Sequence, residues 1–361
     1  MSDAIVRVLV GAQREQGNMC KEAMGVTKEA VTAYCETCRA FTNVNLVNDE
    51  ETLELDGVTY RYPTIHGYCD VCGSEATPQH VLEDNQRSFA NAVRAAHGIV
   101  SQEVVNGLVD RYNIKPRPLS SLLGWGEHTY SRFMEGDIPS KAFSDRINAL
   151  WKSPLSYLLL LLSNGGALTS VALRKSRASA QKALTQYGSK ADIVSAYLIG
   201  KTESNSALAL QKELYYAQGL MLSFFGTPLI PERCEAWRMG PVFPEVWDRI
   251  KPREVDEEAL INSDLDTCVR CTLSAEELLV LNAVAIYVGR YSPFVLRDIT
   301  HSERPWTQAR GSLPEDSPSN TEIDNEDIRS FFSDMRREYG MDRPADIARY
   351  MEKMVENLSA R

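Results

Sequence analysis

Two Cys-x-x-Cys pairs, Cys35-Glu-Thr-Cys38 and Cys69-Asp-Val-Cys72, constrain what this chain can fold into more than any other feature. A two-residue gap lets both thiols of a pair face one point. Four such thiols make the soft, tetrahedral ligand set that Zn2+ prefers. The 30 residues between the pairs must then fold back on themselves. Within them, residues 52–55 and 58–62 are strand-like runs joined by Asp56-Gly57, a dipeptide suited to a tight hairpin because both positions tolerate positive φ. Gly73 suits the turn of the second knuckle. Four cysteines leave no open coordination position, so the expectation is a structural Zn2+ held by Cys35, Cys38, Cys69 and Cys72 in a module over residues 33–82. The alternative is four reduced core cysteines. His66 and His80 are expected at the surface or beside the site rather than on the metal. Cys268-Val-Arg-Cys271 has no second pair, and Cys234 stands alone, so these read as incidental.

Eight cysteines in 361 residues are too few for a disulfide scaffold, and residues 1–11 lack the features of a secretion leader. A reducing, cytoplasmic setting is expected. The most apolar run, residues 155–162, is far shorter than the roughly 20 residues a bilayer span needs, so no membrane segment is expected. The net charge of −10 argues against a protein coated with nucleic acid, but charge is uneven. Residues 101–190 hold 12 Lys and Arg against 6 Asp and Glu; residues 251–361 hold 14 against 22. A basic middle permits local contact with nucleic acid.

Periodicity divides the remainder. Residues 1–32 read as a short helical extension. Over 83–153, Phe89, Val93 and Ala96, then Val104, Leu108 and Tyr112, recur at helical spacing, and Pro116 and Pro118 break the chain before another short helix. Residues 154–189 read as a helical linker interrupted at Asn164-Gly165-Gly166, carrying basic Arg174, Lys175, Arg177 and Lys182, with a hinge at Gly188-Ser189. A second helical domain follows over 190–335, and a helical tail over 336–361.

Residues 119–136 carry the nucleic-acid signal. A short helix with Leu122 and Leu123 inward ends near Gly124-Trp125-Gly126, and a second follows in which Tyr130 and Phe133 face the core. Glu127, His128, Thr129, Ser131 and Arg132 are left outward, the arrangement of a recognition helix. Arg132 suits bidentate bonds to guanine, while Thr129 and Ser131 suit phosphates. A plain helical core is the alternative reading.

On Ser131-Arg132-Phe133-Met134-Glu135-Gly136 and the paired knuckles, residues 34–152 resemble the MqsA-type antitoxins, which join a two-knuckle zinc domain to an Xre-like helix-turn-helix. The resemblance implies that the base-contacting Arg falls on Arg132 and the base-contacting Asn on His128, a departure that alters the operator read there. It also implies a homodimer on palindromic double-stranded DNA.

In the C-terminal part, Leu210, Leu214, Ala217 and Met221 form an apolar stripe, Gly240-Pro241 is a rigid turn, and Trp237 and Trp306 are core anchors. Residues 210–219, 235–247 and 300–306, in this order, resemble the SocA-like domain, also called Panacea, over about 190–335. The resemblance implies a helical module that neutralises a cognate toxin by binding it. Lys212, Tyr216 and Arg238 are taken as exposed candidate toxin contacts.

The expected fold is mainly α with a small N-terminal α+β zinc module, an Xre-like helix-turn-helix and an all-helical SocA-like domain. The expected function is a type II antitoxin that binds its toxin and represses its own operon. The rivals are a stand-alone zinc-containing transcription regulator with a ligand- or partner-sensing C-terminal domain, and a proteolysis adaptor. No Gly-rich phosphate loop, His-Glu-x-x-His or Gly-x-Ser-x-Gly is present, and Thr300-His301-Ser302-Glu303 reads as a helix end, so no enzymatic role is expected.

Overall fold

The computed structural model describes residues 31–202, 206–250 and 264–360. The expected helical extension lies outside them except for Val31 and Thr32, which begin a strand. The fold is mostly helical, with a small antiparallel sheet near its start. Its contacts fall into two compact units, Met1–Leu108 with His128–Asn148, and Val109–Glu127 with Ala149–Arg361.

The first unit is built on the meander β1 (Val31–Cys35), β2 (Ala40–Leu55) and β3 (Val58–Cys69). Asp56 and Gly57 take φ of 50° and 75°, so the tight turn forms as the dipeptide implies and pairs Leu55 with Val58. Both strands run well past the expected limits, until the register sets Val44 opposite Cys69. One inward face collects Ala33, Cys35, Val44, Cys69 and Ala76. Further along, Tyr60 meets Phe89 and Val93 of α1 (Gln79–Ala96), with the Tyr60 and Phe89 rings edge-on at 5.9 Å. Ala96, read as part of that stripe, is exposed.

Next come α2 (Gln102–Arg111), α3 (Pro116–Leu122), α4 (Thr129–Met134) and α5 (Lys141–Lys152). Pro116 and Pro118 sit inside the first turn of α3, where a missing N–H is tolerated, rather than before it. The two helices expected to form the helix-turn-helix therefore exist, but α3 belongs to the second unit and α4 to the first.

The second unit takes in α6 (Pro154–Asn164), α7 (Ser170–Tyr187), α8 (Lys190–Lys201) and α9 (Ala207–Phe225). Ser153, Thr169, Ser189 and Ser206 cap these helices by accepting a backbone N–H each. The segment expected as a linker contributes to the core, since Pro154–Leu161 is buried without a break. Gly188, at the position read as a hinge, has φ of −63°, and a Cβ there would lie 2.4 Å from the Leu184 carbonyl oxygen.

Helix α9 is the central element, buried on every side from Ala209 to Leu222. It packs against α8, the short hairpin β4 (Cys234–Trp237)–β5 (Gly240–Val242), α10 (Pro244–Ile250), α12 (Ala275–Tyr287), α13 (Pro293–His301) and α15 (Asn325–Glu338). Around these lie α11 (Leu265–Val269), α14 (Arg304–Arg310), β6 (Glu322–Ile323), which pairs with β4, and α16 (Ile347–Ser359). The expected tail is integral, because α16 buries Ile347, Tyr350 and Met351. Among the described residues, no helix is long and apolar enough to cross a membrane.

Candidate functional site

The β1–β2 and β3 ends bring the four predicted thiols together, every Sγ lying within 4.8 Å of the others. Cys35 and Cys72 are 3.5 Å apart and Cys38 and Cys69 are 3.9 Å apart. A tetrahedral ion with about 2.3 Å bonds to sulfur needs S···S edges of roughly 3.8 Å, so the cluster fits one ion. Arg39 and Gly73 take φ of 54° and 73°, each just past the second cysteine of its pair. Gly73 N–H donates to the Cys69 carbonyl at 2.9 Å and Cys69 N–H to the Ser74 carbonyl at 2.8 Å, which closes the second knuckle.

The thiols differ in acidity. The Thr42 hydroxyl, 3.1 Å from Cys69 Sγ, leads the Cys72 backbone N–H in drawing Cys69 down to about 6. The Ser74 hydroxyl leads in lowering Cys72. Cys38 is pushed up to about 12, first by its hydrogen bond with Cys72. Four adjacent thiolates are stable only with a cation among them, and this donor set suits a soft divalent ion. His66 instead faces Glu51 and Glu75 at 3.4 and 3.5 Å, and His80 is exposed. Cys268 donates to the Gln181 carbonyl at 3.5 Å, Cys271 is exposed, and neither joins a metal-ligating group among the described residues. Thr42 was invisible to motif reading, because its role depends on the strand register.

Helix α4 buries Tyr130 and Phe133, and the Tyr130 hydroxyl donates to the Val105 carbonyl at 2.9 Å. Glu127, His128 and Arg132 are exposed, and Thr129 and Ser131 are half-buried. Arg132 Nε donates to Asp137 Oδ2 at 2.8 Å, and Glu127 lies 3.6 Å from Arg117. Two residues absent from the sequence reading hold the end of α4. Gln102 Nε2 donates to the carbonyls of Phe133 and Met134 at 2.9 and 3.1 Å. Arg94, almost fully buried, donates to those of Gly136 and Asp137 at 3.0 and 3.1 Å and to Gln102 Oε1 at 2.8 Å. Its burial is compatible with charge because backbone carbonyls take the place of water.

In the second unit, the candidate contacts divide. Lys212 and Tyr216 are fully buried, which corrects their reading as exposed contacts. Their side chains meet partners distant in sequence. Lys212 Nζ donates to the Pro241 carbonyl at 2.9 Å, and the Tyr216 hydroxyl to Glu303 Oε1 at 2.6 Å. Tyr350 donates to the same oxygen at 2.7 Å. Desolvation lowers Lys212 to about 7 and raises Glu303 to about 7.

The β4–β5 hairpin is held from below by Lys212, by Trp306 Nε1 donating to the Trp237 carbonyl at 2.9 Å, and by Arg310 Nη1 donating to the Ala236 carbonyl at 3.1 Å. Gly240 is required there, with φ of 97° and space for a Cβ only 2.6 Å from Lys212 Nζ. Arg238, at the hairpin tip, is exposed as expected. Trp306 is buried as an anchor, whereas Trp237 is only half-buried and stands edge-on to Trp247 at 6.0 Å.

Much of this packing lies in the stretch from α9 to α14. Residues 210–307 match the family described as Antitoxin SocA-like, Panacea domain. The match lies within the C-terminal half of the chain. Over 108 residues, 28% of this chain, the sequence is 34% identical to the antitoxin SocA of Caulobacter vibrioides (strain NA1000 / CB15N). The aligned part covers 57% of that relative. No solved structure matches the chain. The MqsA-type resemblance of residues 34–152 has no matching family model.

Proposed function

We propose that this chain is an antitoxin that neutralises a protein toxin by direct binding through its SocA-like domain. The observation that carries the reading is the match of residues 210–307 to that family, together with the likeness to the antitoxin SocA. The rigidly held hairpin supports it physically. Arg238 is presented at the tip beside half-buried Trp237, and Arg and Trp are the residue types that dominate binding energy at protein interfaces.

Two further parts complete the proposal. The four thiols bind a structural Zn2+, whose chemistry here is to tie β1, β2 and β3 together; this is supported by the S···S edges and the absence of a fifth ligand among the described residues. Helix α4 binds operator DNA in a homodimer, with Arg132 and His128 reading bases and Thr129 and Ser131 meeting phosphates. Burial of Tyr130 and Phe133 with exposure of Arg132 and His128 supports this part. Binding rather than catalysis is the activity.

The test is growth of cells expressing the open reading frame adjacent to this gene from an unrelated inducible promoter. Full-length protein restores growth, and Arg238→Glu restores it at least tenfold less. A harmless adjacent product, or equal rescue by Arg238→Glu with a separate surface variant abolishing it, overturns the reading in whole or in its hairpin part.

A further inference from the structure

Helix α7 carries four basic residues, Arg174, Lys175, Arg177 and Lys182, and no acidic residue over its 18 positions, in a chain whose net charge is −10. Ser176, Ala180, Ala183 and Leu184 face the core, while Arg174, Lys175 and Lys182 are exposed. These three make no ion pair among the described residues; Arg177 is half-buried and engaged within the fold. The main elements packed against α7 are α6, α8 and α11. Helix α6 has no acidic residue. The single acidic groups of α8 and α11, Asp192 and Asp266, are already held by Arg249 at 3.3 Å and Lys201 at 2.7 Å. Among the described residues of these elements, no free acidic group cancels the positive field of the exposed face. Arg174 and Arg177, one turn apart, repel each other, so helix stability does not account for the pattern.

We propose that the exposed face of α7 binds the phosphate backbone of double-stranded DNA. Arg174 and Lys182 are eight residues apart, about 12 Å along the helix, which spans roughly three to four phosphates of one strand. An anionic membrane is the poorer fit. An interfacial helix inserts its apolar face, and here that face is spent on the core, which leaves only Val171, Ala178 and the terminal Tyr187 exposed beside the cations. The inference rests on the DNA-binding part of the proposed function, but it concerns backbone contact, not base reading.

The test is fluorescence anisotropy of the full-length protein with a 30-bp duplex from upstream of the gene and a shuffled duplex of equal composition, between 50 and 300 mM KCl. Substituting Arg174→Gln, Lys175→Gln and Lys182→Gln together lowers the slope of log K against log salt by about 2.7, with affinity for both duplexes falling by up to about 500-fold at 0.1 M salt. Should the triple variant misfold, Lys182→Gln alone lowers the slope by about 0.9. Arg132→Ala, in contrast, reduces the preference for the upstream duplex. An unchanged slope in the α7 variants overturns the inference, as does parent protein that binds phosphatidylglycerol vesicles or single-stranded RNA in preference to duplex. A normal α7 effect with no preference between duplexes leaves the inference standing and sinks the operator reading instead.

Discussion

Glu213 gives the sharpest quantitative test of the second unit. It is fully buried on α9, and neither carboxylate oxygen has a hydrogen-bond partner among the described residues. Burial alone pushes its carboxyl up from 4.5 to about 8. Between those values the folded chain binds a proton that the unfolded chain has released. Stability from this group is therefore full below about 4.5 and is lost as pH rises towards 8. The loss runs at about 1.4 kcal/mol per pH unit, or roughly 2.7 kcal/mol between pH 5.5 and 7.5.

Glu213→Gln keeps the shape and removes the titration. The stability difference between variant and parent should thus shift in the variant's favour by about 2.7 kcal/mol between the two pH values, whatever other groups titrate. All five tryptophans, at 125, 151, 237, 247 and 306, belong to the second unit, so urea unfolding followed by tryptophan fluorescence reports on the right part of the molecule. A difference constant to within about 0.5 kcal/mol would refute the reasoning, because it would mean that the carboxyl is solvated in the fold.

Three further outcomes are expected. Gly240→Ala places a Cβ 2.6 Å from Lys212 Nζ at a φ of 97°; it should cost about 3 kcal/mol in the same assay and leave metal content unchanged. Elemental analysis of purified parent should give one zinc per chain, lost in Cys69→Ser and retained in Cys271→Ser, since Cys271 is outside the thiol cluster. Tyr350→Phe leaves Glu303 Oε1 with Tyr216 as its remaining donor and should lower stability by about 1–2 kcal/mol, read as a shift in urea midpoint.

The local chemistry was legible in the sequence because it depends on short spacings. The paired cysteines and Asp56-Gly57 specify knuckles and a turn within a few residues, and both form. The lengths of β2 and β3 were hidden by Asn45, Asn48, Asp49, Glu50 and Glu51, polar residues that interrupt the alternating pattern while remaining in register with β3. Lys212 and Tyr216 were misplaced for a related reason. A helix apolar on one stripe normally turns its polar side to water, but α9 is surrounded, and Lys212, Tyr216 and Gln218 find hydrogen-bond partners 11 to 107 positions away. Gly240 was the one local trace of that arrangement, since a turn explains its φ but not the ammonium packed against it. The division between α3 and α4 follows from tertiary contacts that periodicity does not encode.

The central claim is neutralisation by direct binding, and co-purification tests it most directly. Full-length protein and the adjacent gene product are expressed together from unrelated promoters, and the tagged antitoxin is recovered under native conditions. The account predicts a stable complex in fixed stoichiometry that rescues growth. Rescued growth with the two proteins eluting separately would contradict it.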